Sequence, residues 1–254
     1  MTDLESLART PRLLVALDFD GTLSPLVDEP MSARMIPAAR RALDALAALP
    51  ATDVALVSGR SLADLRVISE HADDSLFHLA GSHGAETWHP GAPTGQDDAD
   101  DPADRELLAE LVAEVERIVA PVDGAWVEPK AFGLGLHTRL ARPDAAHEAQ
   151  REVDALLAER APNWRRRTGR DILEFAFRHE GKDQAVAALR ERLGATAVLF
   201  AGDDVTDEDA LRSLGEGDLG VHVGTGDSAA SVSVEDPAAL AALLDRLAGL
   251  RAQR

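Results

Sequence analysis

Runs of apolar residues alternate with amphipathic segments along much of the chain. Leu13 to Leu17 are apolar without interruption and lead directly into Asp18, which is typical of a strand buried on both faces of a parallel sheet. Three similar runs end in glycine or polar residues: Asp53 to Val57, Leu76 to Ala80 and Ala197 to Ala201. Because helical patterns such as Pro37 to Leu49 and Leu62 to His71 lie between the strands, the sequence predicts a doubly wound α/β domain.

The middle of the chain has a different pattern. Pro90 to Pro102 has the composition of a loop and marks a candidate domain boundary. Beyond it, the periodicity predicts two helices, one through Leu107, Leu111, Val115 and Ile118 and one from Asp144 to Glu159. Each helix is followed by a predicted hairpin. The first hairpin consists of Ala125 to Val127 and Leu134 to Thr138 around Gly133, and the second of Trp164 to Thr168 and Ile172 to Phe177 through Gly169. This order predicts an inserted α+β cap domain at residues 103–176, with a core domain built from residues 1–102 and 177–254.

Composition excludes several kinds of chemistry. The 254 residues include no cysteine, so disulfides, thiolate zinc sites and thiol nucleophiles are excluded. A formal net charge of -19 repels polyanions, so we expect neither nucleic acid nor an acidic membrane surface as a partner. The acidic N-terminus and the short apolar runs predict a cytoplasmic protein.

Two carboxylates follow the first predicted strand, in the segment Asp18-Phe19-Asp20-Gly21-Thr22-Leu23. Side chains two positions apart on a strand point the same way, so both carboxylates can face one pocket. One of them could attack phosphorus while the other passes a proton to the leaving oxygen, as phosphoryl transfer to water requires. The alternative is a turn that happens to contain two aspartates. A calcium-binding loop does not fit, because Gly21 comes too early.

A second acidic segment follows another predicted strand and opens a helix at or near Asp207. It reads Gly202-Asp203-Asp204-Val205-Thr206-Asp207-Glu208-Asp209. Magnesium usually takes one or two protein carboxylates directly, and further carboxylates can orient these ligands. Alternatively, Asp207 and Glu208 only cap the helix.

Two other residues could contact a phosphate group. Ser58 lies at a strand end beside Gly59, where its hydroxyl and the neighbouring amides could hold phosphate, although a plain turn is the alternative. Lys182 could neutralise a phosphate oxygen, although a lone lysine is usually a surface residue.

The ordered segments DFDGTL, VSGR, Lys182 and GDDVTDED resemble the four signatures of the haloacid dehalogenase superfamily. The resemblance implies a Rossmann-like core with Asp18 as nucleophile, Asp20 as general acid and base, and phosphate or substrate contacts from Ser58, Gly59, Arg60 and Lys182. It also implies Mg²⁺ held by Asp18, the carbonyl of Asp20 and Asp203, with Asp204 and Asp207 nearby.

Within that superfamily the chain is most similar to trehalose-6-phosphate phosphatases, over nearly its whole length. The similarity rests on Leu23-Ser24-Pro25-Leu26 and on the segments 81–86, 127–130, 136–139, 172–174 and 207–211. It implies that trehalose 6-phosphate is hydrolysed in a sugar pocket between core and cap, lined by Lys130, Arg139 and Glu174, with His83 and Glu86 shaping its core side. For His83, Glu86 and His137 a packing role is the alternative. The family also suggests functional coupling to a trehalose-phosphate synthase.

The chain departs from the family pattern at two places. Phe175-Ala176-Phe177 follow Glu174, where an arginine-proline pair is usual, and Asp183 follows Lys182 in place of glycine. The first change bears on which sugar is bound. The second could reshape the turn beside Lys182 while leaving its charge in place.

Three other functions remain open on sequence grounds. The chain could be a phosphatase for another glycosyl phosphate or a trehalose-like pseudo-disaccharide phosphate, a non-catalytic sugar-phosphate-binding relative, or a phosphotransferase such as a mutase. A binding protein needs no acid-base aspartate, so the presence of Asp18 and Asp20 together with Lys182 favours an enzyme.

Overall fold

The computed structural model describes residues 3–92, 102–169 and 171–253. The chain divides into two compact units, with residues 1–95 and 180–254 in unit 1 and residues 96–179 in unit 2. Most of the predicted boundary loop, from residue 93 to 101, lies outside the described residues. Of the described helices, none is both long and apolar enough to span a membrane.

The described strands and helices alternate along much of the chain. The strands are β1 (Leu13–Leu17), β2 (Thr52–Val57), β3 (Phe77–Gly81), β4 (Glu86–Trp88), β5 (Trp126–Lys130), β6 (Gly133–His137), β7 (Arg165–Gly169), β8 (Ile172–Ala176), β9 (Ala197–Gly202), β10 (Leu219–Val223) and β11 (Val232–Val234). The helices are α1 (Leu4–Ala8), α2 (Pro37–Ala47), α3 (Leu62–Ile68), α4 (Pro102–Val119), α5 (Pro143–Arg160), α6 (Lys182–Leu193), α7 (Glu208–Ser213) and α8 (Pro237–Arg251).

Unit 1 is built on a seven-stranded sheet in the order β11-β10-β9-β1-β2-β3-β4. All neighbouring strands are parallel except β4, which runs antiparallel to β3. Side chains on β1 alternate between two buried clusters: Leu13, Val15 and Leu17 pack with α2 and α8, and Leu14 and Ala16 pack with α6 and α7. Both faces of the sheet are therefore covered, and the predicted doubly wound α/β fold is confirmed.

The central position of β1 brings the polar segments together. Leu17, its last residue, is in register with Leu56 of β2 and Ala201 of β9. Since all three strands are parallel, the residues that follow them emerge at one edge of the sheet. Asp18, Ser58 and Asp203 are among these residues.

A buried arginine in the last helix of unit 1 forms hydrogen bonds with the segments around α1, β1 and β2. Arg251, in α8, donates hydrogen bonds from Nε to Thr52 Oγ1 at 2.6 Å and from Nη2 to the carbonyl oxygen of Ala51 at 2.6 Å. Its Nη1 donates to the carbonyl oxygens of Ala8 and Thr10, both at 3.0 Å. The bonds from Nη1 link segments about 240 residues apart in the sequence.

Unit 2 contains a four-stranded antiparallel sheet in the order β5-β6-β8-β7. One face of it is apolar and packs on α4 and α5, through buried residues that include Leu134, Leu136, Leu173 and Phe175 from the sheet and Leu111, Val115, Val153 and Leu157 from the helices. The alternation of side chains puts a different set on the other face. We call this surface the polar face; it carries Trp126, Glu128, Lys130, His137, Arg167 and Glu174.

The two hairpins of unit 2 differ from their predicted turns. Gly133 is the first residue of β6 rather than the turn, and a Cβ there would lie 1.9 Å from the carbonyl oxygen of Phe175. The glycine is therefore required by the close approach of β8, not by a turn conformation. In the second hairpin the left-handed backbone conformation occurs at Asp171, with φ of 57°, rather than at Gly169.

Candidate active site

Lys182 is buried at the start of α6 and pairs with two carboxylates. Its Nζ donates to Asp18 Oδ1 at 2.5 Å and to Asp207 Oδ1 at 2.6 Å. The side chain is only 4% exposed, so the alternative prediction of a surface lysine is wrong. A buried ammonium group next to the predicted nucleophile suits the binding of a phosphate dianion.

The charges of this cluster shift the pKa values of its members. Burial raises the pKa of Asp18 well above its ordinary value, and the carboxylates of Asp207 and Asp203 raise it further, against the opposing charge of Lys182. Burial and the charge of Asp207 raise the pKa of Asp203 to about 6. Burial lowers the pKa of Lys182, but Asp18 and Asp207 outweigh this effect and raise it, so Lys182 keeps its charge at neutral pH.

Asp207 holds the acidic segment after β9 in place. Its Oδ2 accepts hydrogen bonds from the amides of Asp203 at 3.2 Å and Asp204 at 3.0 Å, while Oδ1 accepts from Lys182. A Cβ on Gly202 would lie 2.2 Å from Asp207 Cγ, so only glycine fits at this point of closest approach. Asp207 thus connects Lys182, through Oδ1, to the backbone of Asp203 and Asp204, through Oδ2, and fixes the position of Asp203.

The loop after β1 packs directly against the loop after β9. Thr22 Oγ1 donates to Asp203 Oδ1 at 3.1 Å. Gly21 has φ of +80°, and a Cβ there would lie 2.0 Å from Asp203 Oδ2. This glycine thus provides both the left-handed turn and the space for Asp203.

Three of the predicted metal-binding residues lie together. Within the described residues, Asp18, Asp203 and Asp207 offer carboxylate oxygens that all lie within 4.8 Å of one another. Asp204 lies outside this group: it is exposed, and its Oδ1 accepts a hydrogen bond from the amide of Val205 at 2.7 Å. The carboxylate of Asp20 also lies outside it.

Asp20 is paired with Arg60. Arg60 donates to the two carboxylate oxygens from Nε and Nη2, at 2.6 and 2.7 Å. Ser58 is buried, and its hydroxyl accepts a hydrogen bond from the amide of Arg60 at 3.2 Å. This bond is typical of the plain serine turn that was the alternative to a phosphate contact. The VSGR segment therefore contacts the predicted acid-base residue.

His83 and Glu86, which follow β3, both contact the segment that leads from β2 into α3. The His83 ring lies over Gly59, where a Cβ would come within 2.8 Å of Cε1 and Nε2. Glu86 Oε2 accepts hydrogen bonds from Ser82 Oγ at 2.5 Å and from the amide of Leu62, at the start of α3, at 3.0 Å. These contacts agree with the packing role that was left open for both residues; their binding of substrate stays a prediction.

Ser82 and His83 are held in an uncommon backbone conformation. Their φ values are 48° and 59°, in the left-handed region that non-glycine residues rarely occupy. Such strain occurs preferentially at functional sites, where the surrounding contacts maintain it.

Charged side chains on the polar face of unit 2 are linked to one another. The Lys130 ammonium forms an ion pair with Glu174 and lies 3.9 Å from Glu128 Oε2. To reach Glu174 on β8, Lys130 must cross β6, which lies between β5 and β8. It does so over Gly135, where a Cβ would lie 3.4 Å from Lys130 Cε.

Aromatic contacts occupy the other end of the polar face. The rings of Trp126 and His137 are stacked, with centroids 4.5 Å apart and an interplanar angle of 1°. The Arg139 guanidinium lies 5.2 Å from the Trp126 ring centre. Trp126 and Arg167 were absent from the predicted site, although alternation along β5 would have placed Trp126 on the same face as Lys130.

Comparison with known proteins gives a consistent result. The family model for trehalose-phosphatase matches residues 16–242. A trehalose-phosphate phosphatase of Mycobacterium tuberculosis (strain ATCC 25618 / H37Rv) is 34% identical over 252 residues, which cover 95% of this chain and 62% of that protein. The chain thus spans less than two thirds of the length of this curated relative.

Two fungal structures have a similar fold. The C-terminal domain of trehalose-6-phosphate phosphatase from C. albicans is 23% identical with a TM-score of 0.81, over 97% of this chain and 96% of that one. Trehalose-6-phosphate phosphatase from Aspergillus fumigatus is 27% identical with a TM-score of 0.69, over 97% and 96% of the two chains. Because the family match covers most of the sequence and includes Asp18, Lys182 and Asp203, the chain belongs to the trehalose-phosphatase family.

Proposed function

We propose that this protein is a phosphatase that hydrolyses trehalose 6-phosphate to trehalose and inorganic phosphate. The observation that carries the proposal is the buried pairing of Lys182 with Asp18, at the edge of the sheet where Asp203 also lies. The name of the mycobacterial relative supports the choice of substrate. Functional coupling to a trehalose-phosphate synthase and a cytoplasmic location stay predictions.

The two aspartates of the first motif divide the chemistry. A carboxylate oxygen of Asp18 attacks phosphorus, forming an aspartyl phosphate, while the bond between phosphorus and the sugar oxygen breaks. Asp20 gives its proton to that oxygen, and the sugar leaves as an alcohol. Asp20 then takes a proton from water, whose oxygen attacks phosphorus, so that phosphate is released and Asp18 is regenerated.

Lys182 and the loop residues orient the reacting groups. Lys182 contacts Asp18 directly and compensates the negative charge on the phosphoryl oxygens. Asp207 holds Lys182 and the Asp203 amide in a fixed relation. The roles of Ser58, Gly59 and Arg60 as phosphate contacts stay predictions, as does the coordination of metal by Asp204.

The carboxylate cluster fits a magnesium ion. Hard divalent cations prefer carboxylate oxygens. The pKa values of Asp18 and Asp203 are raised first by burial and then by the neighbouring carboxylates, so a cation beside them would be favoured. Asp18 and Asp203 would hold the ion, with the carbonyl oxygen of Asp20 as a further ligand. An ion held there would favour the ionised form of Asp18 and would neutralise charge on the phosphoryl group.

The polar face of unit 2 suits recognition of sugar hydroxyls. Lys130 and Glu174 provide a donor and an acceptor that hold each other in place, and Arg139 adds a planar set of donors. Lys130 and Glu174 lie on strands, where side chains keep fixed positions, and Arg139 lies in the turn that follows β6. We assign the choice of sugar to these three residues and the chemistry to the residues of unit 1.

The direct test is magnesium-dependent phosphate release from trehalose 6-phosphate, sucrose 6-phosphate and glucose 6-phosphate, measured in parallel. We expect the highest kcat/KM with trehalose 6-phosphate and no release by Asp18→Asn. A clear preference for another sugar phosphate would replace the proposed substrate. Binding without turnover would indicate a non-catalytic relative, and phosphate appearing on a second sugar would indicate a phosphotransferase.

The division between chemistry and sugar selection is tested with Glu174→Ala. A buried group that loses its hydrogen-bonding partner costs about 1–3 kcal/mol, so kcat/KM for trehalose 6-phosphate should fall by at least about tenfold. Activity on a small aryl phosphate, which has no sugar, should change little. The matched control is Glu110→Ala, because Glu110 is an exposed carboxylate of unit 2 that lies on α4 and forms an ion pair with Arg160 of α5. An equal loss on both substrates would contradict the division.

A further inference from the structure

The polar face contains an aromatic side chain that neither the motifs nor the proposed chemistry uses. Trp126 is the first residue of β5 and is paired in register with His137 of β6. Its ring stacks on the imidazole of His137, and the guanidinium of Arg139 lies 5.2 Å from its centre. The Trp126 side chain thus contacts the last residue of β6 and an arginine in the turn that follows it.

Contact with the indole restricts Arg139. Arg139 is exposed, and a long exposed side chain loses much of its rotamer freedom when it binds a ligand. A guanidinium held against an aromatic ring by cation–π attraction has already lost part of that freedom. An arginine restricted in this way would bind a sugar hydroxyl at a lower entropic cost than a freely rotating one.

Stacking also orients the neighbouring imidazole. The Nε2 atom of His137 is 2.7 Å from Glu128 Oε2, so the plane of the ring determines the direction of that hydrogen bond. Glu128 in turn lies 3.9 Å from the Lys130 ammonium. A continuous series of contacts connects Arg139, through Trp126 and His137, to the charged pair on the same face.

We propose that Trp126 is a positioning residue for sugar recognition, which holds Arg139 in the orientation that binds a hydroxyl of the disaccharide phosphate. The inference rests on the proposed function of the polar face. It assigns to Trp126 an effect on substrate binding rather than on the chemical step, and one that is transmitted through Arg139.

The test compares Trp126→Leu, Trp126→Phe, Arg139→Leu and the double variant Trp126→Leu/Arg139→Leu. Loss of a cation–π contact predicts that Trp126→Leu raises KM for trehalose 6-phosphate about 3- to 30-fold, with kcat changed less than about twofold. Trp126→Phe should recover most of the loss, since an aromatic ring remains. In the Arg139→Leu background, Trp126→Leu should add nothing, because the group that it positions is gone.

Other results would overturn the inference. An unchanged KM in Trp126→Leu would show that the ring is not needed, and full multiplicativity in the double variant would show that it does not act through Arg139. An equal loss with an aryl phosphate would show a role in folding instead.

A measurement that needs no substrate separates this inference from the proposed function. Nitrogen-15 relaxation of the Arg139 Nε–H group should show greater motion in Trp126→Leu than in the wild type. If the wild type fails to hydrolyse trehalose 6-phosphate, the proposed function is wrong while the positioning of Arg139 remains measurable in this way. Equal order in the two proteins would overturn the positioning role.

Discussion

Arg60 donates one hydrogen bond to each carboxylate oxygen of Asp20, at 2.6 and 2.7 Å. Both oxygens act as acceptors in this pair, which is the geometry of a deprotonated carboxylate. To act as the proposed acid, Asp20 must first take up a proton on one oxygen and turn that oxygen from Arg60 towards the leaving sugar oxygen, which breaks at least one of these bonds. The position of the predicted acid-base carboxylate thus depends on an arginine that the sequence assigned to phosphate or substrate contacts.

Arg60→Lys should reduce kcat by about tenfold or more, because lysine keeps the charge but cannot form two parallel bonds to Asp20. The loss should be similar with trehalose 6-phosphate and with an aryl phosphate, since Asp20 serves both reactions. Steady-state kinetics on one preparation provides the measurement. A loss confined to trehalose 6-phosphate would instead support a sugar contact by Arg60.

Asp203 and Asp204 form a matched pair for testing the metal site. Asp203→Ala removes one of the clustered carboxylates and should raise the magnesium concentration for half-maximal activity by about tenfold or more. Asp204→Ala should have a smaller effect, because Asp204 is exposed and caps Val205. Magnesium titrations of both variants give the comparison. Wild-type activity that persists in excess chelator would rule out a magnesium requirement.

Asp18→Asn should abolish turnover while the protein stays folded. The variant loses the carboxylate that forms the covalent intermediate, but Lys182 keeps its ion pair with Asp207. Residual activity should be below about one thousandth of wild type, and Tm should change by only about a few degrees. Phosphate release and thermal unfolding of the same sample provide the test. Activity above a few per cent would mean that another group is the nucleophile.

Position 135 offers a steric test of the polar face. Gly135→Ala adds a Cβ in ordinary contact with Lys130 Cε, at 3.4 Å, and should leave KM for trehalose 6-phosphate nearly unchanged. Gly135→Val extends further into the path of Lys130 and should raise KM by about tenfold by separating Lys130 from Glu174. Since valine favours strands, weaker strand formation would not explain this loss. Equal KM values for the two variants would contradict the argument.

His89 makes the stability of unit 1 dependent on pH. Burial, together with the charges of Arg192 and His78, lowers its pKa from 6.5 to about 4. Between these values the unfolded chain binds more protons than the folded one, so the free energy of unfolding decreases as pH falls through this range. Urea unfolding at about pH 7 and about pH 5 should show a larger decrease for wild type than for His89→Gln. The same decrease in both proteins would exclude His89 as a cause.

The buried strands of unit 1 were well predicted because their apolar runs are uninterrupted. Leu13–Leu17 agrees at both ends, and the run predicted from Ala197 to Ala201 extends by one residue to Gly202. The short strands Glu86–Trp88 and Val232–Val234 were not predicted. Three residues are too few to show alternation, and such strands form only because an adjacent strand is already in place.

The candidate active site could also be predicted only in part. Local patterns placed Asp18, Ser58 and Asp203 at strand ends, and the parallel sheet brings those ends together. The partners of individual side chains depend on contacts between distant segments, such as the bond from Glu86 to the amide of Leu62. No local signal indicated that Glu86 supports the start of α3, so a side chain assigned to the sugar pocket also has a structural role.

The bonds made by Arg251 have a consequence for synthesis of the chain. They join α8 to the carbonyl oxygens of Ala8, Thr10 and Ala51, so the sheet of unit 1 cannot acquire its final contacts until residue 251 has left the ribosome. Unit 2 is continuous from residue 96 to 179 and has its own buried cluster. During translation, unit 2, to which we assign the choice of sugar, can therefore fold while the sheet of unit 1 is still incomplete.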